Sequence, residues 1–223
     1  RFRFTGGLFY YDNEGGQDLA MNRGAVVILQ RDEARSYAAF GEVAFDATDR
    51  LTLTAGLRYS RDKQTSAVAF VFGGGAFPDV VPQLGQQKWS AWTPRFTATY
   101  DFSDRVTGYA SYSQGFKAGL FNTISAQTLP VDPEKIDAFE IGLKGDAGSG
   151  LSFSAAAFYY DYRDLQLPAF ILTEGIPRQI LRNAASSEIY GVEVNGNWQP
   201  LDGLNFNAGV TYLHARYKDY PNA

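Results

Sequence analysis

The chain has 223 residues, a formal net charge of −4, 15% aromatic residues, 23 glycines, one histidine and no cysteine. Charges of both signs are scattered, which argues against the basic face that a nucleic acid needs, and the lack of cysteine excludes disulfides and thiolate metal sites. With His214 alone, neither a histidine-based metal centre nor a serine–histidine triad is expected.

Period-two alternation predicts nine strands in chain order, over about 1–11, 35–46, 50–62, 88–101, 105–116, 135–145, 150–163, 187–199 and 203–217. In the third, Leu51, Leu53, Ala55, Leu57 and Tyr59 share one face, and Thr52, Thr54, Gly56, Arg58 and Ser60 the other. The fourth sets Trp92, Pro94, Phe96, Ala98 and Tyr100 against Thr93, Arg95, Thr97 and Thr99. Its Pro94, which has no N–H for a ladder, predicts a bulge or local break there. The sixth and seventh flank the turn "GDAGSG", with Phe139, Ile141, Leu143, Leu151, Phe153 and Tyr159 on one face and Glu140, Lys144, Ser152 and Ser154 on the other. The eighth opposes Tyr190, Val192, Val194 and Trp198 to Glu193, Asn195 and Asn197. The ninth opposes Leu204, Phe206, Ala208, Val210 and Tyr212 to Asn205, Asn207 and Thr211.

The connections alternate in length. "DATDR", "DFSDR", "GDAGSG" and "QPLDG" are short turns, whereas 12–34, 63–87, 117–134 and 164–186 are far longer than the roughly 2–5 residues of a usual hairpin loop. A repeat of about 50 residues also suits a propeller or solenoid, but propeller blades need four strands per repeat and here there are two.

No segment has the pattern of a second layer to cover the apolar face. Lipid can cover it instead: a membrane strand needs about 9–11 residues, and alternation hides such strands from a mean hydropathy of −0.25. Arg58, Arg95, Glu140, Lys144 and Glu193 all fall on the polar phase, and aromatics such as Tyr10, Tyr59, Trp92, Tyr159, Trp198 and Tyr212 stand near strand ends. The expected fold is all-β: an antiparallel up-and-down transmembrane β-barrel, partial, with about nine consecutive strands of a larger barrel. Short turns would face the periplasm and long loops the outside.

The stretches "YASYSQGFKAGLFN", "VDPEKIDAFEIGLKG", "AFYYDYRDLQL" and "RNAASSEIYGVEVNGNWQPLDGLNFNAGVTYLHARY" resemble, in that order, the barrel of TonB-dependent outer-membrane receptors of the siderophore-receptor type. "YAAFGEVAFDATDRLTLTAGLRYSRD" and "WTPRFTATYDFSDRV" fit the preceding strands. The resemblance implies a 22-stranded barrel filled by an N-terminal plug, in the outer membrane of a Gram-negative bacterium. It also implies uptake of a scarce solute, most often a ferric siderophore complex, energised by the TonB complex through the plug. Residues 1–223 are expected to be an internal part of the barrel domain, with plug, TonB box and both barrel ends missing.

Within that resemblance the long loops offer ligand contacts: Phe72, Phe77, Phe121 and Phe170 with Arg178 and Arg182, beside Gln179. The plainer reading is that these loops pack on one another. Arg58, Arg95, Glu140, Lys144 and Glu193 would line the lumen or meet the plug; more plainly, they are solvated or paired across strands. "DNEGGQD" lacks the spacing of a calcium loop and reads as a solvated acidic loop. "FGGG" has no following Lys-Ser/Thr and makes no phosphate cradle. Asp161, Asp164 and Glu174 are weighed as paired carboxylates, and His214 is expected to face the lumen or the interface. No enzyme activity, metal or cofactor is expected. The partners are outer-membrane lipid, the TonB complex, and a siderophore or other small solute. Two alternatives stand beside this reading: a porin-like or adhesin-like barrel without energy coupling, and a soluble carbohydrate-binding β-sandwich whose apolar faces pair with each other.

Overall fold

The computed structural model describes residues 1–21, 26–73, 75, 81–123, 127, 129–173, 176–183 and 186–218. Among them are eleven strands: β1 (Phe2–Met21), β2 (Val26–Asp46), β3 (Leu51–Phe72), β4 (Gln83–Ser103), β5 (Val106–Lys117), β6 (Glu134–Gly148), β7 (Leu151–Arg163), β8 (Gln166–Thr173), β9 (Ile176–Asn183), β10 (Ser187–Leu201) and β11 (Leu204–Tyr217). Nine form one antiparallel sheet in the order β1-β2-β3-β4-β5-β6-β7-β10-β11, and β8 pairs only with β9. Sequential antiparallel pairing is what short turns between alternating strands produce.

All nine predicted sheet strands are present. The first three run about ten residues further outward than their alternation indicates, and the fourth about five. The segment "DNEGGQD", expected to be a loop, lies inside β1 and pairs in register with β2 from Asp12↔Arg35 to Asp18↔Leu29. Gly, Asn and Asp are poor strand formers, so the local signal is absent. The ladder continues because the pairing of Phe2–Tyr11 with Ser36–Phe45 already aligns each further backbone N–H and C=O with a partner. At about 3.3 Å per residue a 22-residue strand is roughly 70 Å long, more than twice the hydrocarbon thickness. The 164–186 connection contains the hairpin β8–β9, which the sequence reading did not separate from loop.

The break expected at Pro94 is absent between β3 and β4, where Leu57↔Pro94 continues the register without a shift. The proline acts on its other neighbour. The β4–β5 ladder runs only as far out as Arg95↔Ser113, while β5 continues its pairing with β6 to Lys117↔Glu134. Beyond that point the described part of 118–133, joined across itself by the Leu120↔Val131 bridge, lies over the inner side of β4. The Trp89 ring seats on Gly119, where a Cβ would stand 2.6 Å from its Cε2, and the Phe121 ring seats on Gly85.

The two faces differ in what covers them. One carries Phe4, Leu8, Trp92, Phe96, Ile141, Val192 and Val210, all exposed, with Leu8 at 88%. Among the described residues no second layer faces this side, so the β-sandwich alternative has no support. The aromatic rows sit at its two ends. At the outer end Tyr10 packs on Tyr37, Tyr59 on Trp92, Tyr112 on Phe139 and Tyr190 on His214. At the inner end Phe2 stacks on Phe45 and Trp198 on Phe206. His214 thus takes its place in the outer aromatic row, the interface position of the two expected for it. Of the buried apolar residues, Ile28, Leu29, Val68, Val71 and Trp89 belong to the outer extension, Phe121 and Val131 to the segment folded against it, and Ala38 to β2 below.

Candidate functional site

Alternation turns every second side chain of the nine strands to the inner face. There Arg58 lies with its guanidinium 5.3 Å from the Phe9 ring centroid and its Nε donates to Ser60 Oγ at 3.0 Å. Tyr109 Oη donates to Glu140 Oε1 at 2.5 Å. Glu140 and Lys144 share a face four residues apart, and the carboxylate's partner is the tyrosine, not the lysine. Glu140, Lys144 and Glu193 line one hollow of about 510 Å³ with Tyr109, Phe158 and Tyr160. Arg95 is exposed on the same face. Along the wall a ring fills a glycine site: the Phe158 ring seats on Gly191. Toward the inner end the wall turns neutral, with Asn197 donating to Asn207 at 2.6 Å and Asn207 to Asn205 at 3.0 Å. Arg3 clasps Asp46 through both oxygens at 2.7 Å and holds its carboxyl below the ordinary range.

Further out, the 118–133 segment and the β8–β9 hairpin form one clamped unit. Gln166 Nε2 donates to the carbonyls of Ala118 at 2.9 Å and Asp132 at 3.0 Å. The Asn183 amide donates to the carbonyls of Asp132 and Asp164 at 2.9 and 2.7 Å and accepts from the Asp132 N–H at 2.7 Å. Gln127 accepts from the Leu181 N–H at 3.2 Å. Side-chain amides do this work because each offers donors and an acceptor to a backbone that has left the sheet ladder.

The loop residues singled out in the sequence are dispersed by this arrangement. Phe72 ends β3 with 66% exposure and Phe170 stands exposed on β8 at 75%. Phe121 is buried at 5% between the folded-in segment and β4. Arg182 pairs opposite Leu167, and Phe170 opposite Gln179, so Arg182 and Phe170 lie on opposite faces of the hairpin. Arg178 takes the register position opposite Ile171; its side chain, like Phe77 and Glu174, lies outside the described residues. Asp161 is held by Lys218 at 2.8 Å, and Asp164 occupies a bend with φ of 58°. Asp161 is thus engaged in an ion pair between strand ends.

Two inward groups carry no sequence signal of their own. Gln30 Nε2 and Gln64 Oε1 are buried without a hydrogen-bond partner among the described residues, on the inner side of the β2–β3 extension where Asp32 accepts from Ser66 Oγ at 2.5 Å. Polar atoms left unpaired in a buried place are sites where a ligand or water supplies the missing bond. Only the strand extension, which lacked alternation, reveals that they point inward.

A family model described as TonB dependent receptor-like, beta-barrel, matches residues 1–223. The chain is 24% identical over 187 residues to the pesticin receptor of Yersinia pestis, covering 82% of the chain and 26% of that relative. It is 29% identical over 189 residues to the ferric-pyoverdine M114 receptor of Pseudomonas sp. (strain M114), covering 82% and 21%. The crystal structure of the ferric yersiniabactin uptake receptor from Yersinia pestis superposes with a TM-score of 0.80 at 22% identity, over 97% of this chain and 33% of that one. The chain therefore spans about a quarter of the length of the curated relatives it matches.

Proposed function

Because this chain belongs to the TonB-dependent receptor β-barrel family, we propose that it forms part of the wall of an outer-membrane receptor that binds and imports a ferric siderophore complex. In this reading a plug domain supplied by the rest of the full-length protein fills the lumen and carries the coupling to TonB. The work is capture and passage, without a covalent step. The observation that carries the reading is the pairing of an uncovered apolar outer face with a polar inner face whose outer end is capped by the inward-folded 118–133 segment and its hairpin. The names of the ferric-pyoverdine M114 receptor and of the ferric yersiniabactin uptake receptor favour a ferric chelate as cargo.

Inside this frame Arg58, Arg95, Glu140, Lys144 and Glu193 are assigned to the lumen and to contact with the plug. Phe72, Phe170 and Arg182 are assigned to the outer vestibule with Gln30 and Gln64. A growth and uptake assay tests the reading. The full-length receptor is expressed in an iron-limited strain lacking it and offered a panel of ferric siderophores, cobalamin and oligosaccharides. Growth on one ferric siderophore that disappears when TonB is deleted is expected. Uptake that persists without TonB would instead indicate the porin-like alternative.

A further inference from the structure

On the lipid-facing side, immediately beyond the outer aromatic row, the register gathers cations. Arg35 of β2 opposes Lys63 of β3, and Lys63 opposes Lys88 of β4. One row nearer the membrane, Arg61 lies between Tyr37 and Ser90. Like charges directly opposite each other on a sheet destabilise it, yet two successive pairs in one row are of the same sign. Asp12 of β1 answers Arg35 alone, at 3.1 Å. Arg61, Lys63 and Lys88 have no hydrogen bond or ion pair with any described residue. Glu14 and Glu33 oppose each other one row further out, on the β1–β2 side of the patch, and leave the β3–β4 cations unanswered. The four cations share a hollow of about 790 Å³ with an apolar and aromatic floor that includes Tyr37 and Tyr59.

Cations above an apolar floor suit an amphiphile with an anionic head. We propose that this patch binds the phosphate-bearing headgroup of an outer-leaflet lipid, its phosphates between Lys63, Lys88 and Arg61 and its acyl chains on the floor below. A lipid, and not a free anion, is the occupant the geometry favours, because the hollow is continuous with the surface that lipid already covers. Bringing a phosphate between the opposed cations removes their repulsion, and charge-assisted hydrogen bonds to phosphate are among the stronger ones available. The inference rests on the membrane placement proposed above.

The test uses the full-length receptor purified from outer membranes in detergent. Native mass spectrometry follows adducts with a bis-phosphorylated lipid A, with the same lipid after phosphatase treatment, and with inorganic phosphate. The phosphorylated lipid is expected to remain bound where the dephosphorylated one does not. The double substitution Lys63→Gln/Lys88→Gln should weaken it roughly tenfold to thirtyfold, as two juxtamembrane charges do at an anionic surface. Arg50→Gln/Arg105→Gln removes as much charge at the periplasmic turns and should leave it unchanged, and heat-modified gel mobility shows that each variant is folded. Equal binding of the dephosphorylated lipid, equal binding by Lys63→Gln/Lys88→Gln, or binding of inorganic phosphate alone would overturn the proposal. So would a dimer that forms through these residues in place of lipid. Absence of the protein from the outer-membrane fraction would overturn the underlying membrane reading instead.

Discussion

Gly142 is on the inner face of β6, and a Cβ there would stand 2.5 Å from Tyr109 Cζ. Gly142→Ala therefore displaces the ring and breaks its bond to Glu140, an overpacking cost of about 1–3 kcal/mol. Thermal unfolding of the full-length receptor in detergent should show Gly142→Ala well below wild type. Tyr109→Phe keeps the ring and loses only the hydroxyl, at roughly 0.5–1.5 kcal/mol. A second residue-scale device lies beyond the outer aromatic row. Lys218, then Arg216 and Tyr159, donate to Glu188 and lower its pKa against the cost of desolvation. The Lys218 ammonium is raised in turn, chiefly by Asp161. A carboxyl whose folded pKa lies below its unfolded value adds stability above that unfolded value and loses it as pH falls through the folded one. A lysine raised on folding adds stability below its unfolded value and loses it as pH rises through its folded one. The clasp is thus firm through neutral pH and opens on acidification. After correction for intrinsic exchange, protection of the Lys218 amide, which donates to the Ser186 carbonyl at 2.8 Å, should fall below the ordinary carboxylate range. Glu188→Gln should flatten that pH dependence.

The strand is the unit in which face is decided. Ile141, exposed at 62%, and Ser111 lie on β6 and β5 at the same depth but on opposite faces, since Ile141 pairs with Ala110 and Ser111 with Glu140. Ile141→Arg puts a charge toward hydrocarbon and should cost about 2–4 kcal/mol of folding stability in liposomes. Ser111→Arg faces the lumen beside Glu140 and should cost less than roughly 1 kcal/mol. Equal costs would mean that the apolar face does not meet lipid. The hairpin β8–β9 is a different sort of element, because no hydrogen-bonded ladder joins it to the main sheet. Its hold comes from Gln166 and Asn183, with further bonds from Gln127 to the Leu181 N–H and from Asn122 to the Gln179 carbonyl. Gln166→Ala/Asn183→Ala should quicken protease cleavage in 118–133 and 164–186 while leaving the thermal transition of the sheet in place.

At the scale of the molecule, among the described residues β1 pairs only with β2 and β11 only with β10, so the sheet they form presents two unpaired edges and an apolar face. Open edges recruit other strands. Refolded alone in detergent, residues 1–223 should elute as associated species in light scattering, whereas the full-length receptor should be monomeric. A monodisperse monomer of the short chain would show that its edges close on each other. The outer extension adds to the same picture: β1–β4 run outward past the ladder that β4 shares with β5, and the described part of 118–133 packs on the inner side of β4.

Alternation in Leu51–Tyr59 or Leu204–Tyr212 is legible without any structure, because a pleated backbone fixes side-chain direction to the residue count. The short turns set which strands are neighbours. The sequence by itself therefore determined the nine sheet strands, their order, the lipid-facing phase and, through "YASYSQGFKAGLFN" and its companions, the family. Tertiary structure decided what local pattern does not encode. Pairing carries β1–β4 through Gly- and Asp-rich stretches that have no alternation of their own. Pro94 ends one ladder and not the other, which depends on which neighbour its missing N–H would have met. Phe121 turns inward onto Gly85, the β8–β9 hairpin separates Phe170 from Arg182, and Lys63 and Lys88 meet across strands. Each of these joins residues distant in sequence, and only the register of paired backbones fixes such encounters.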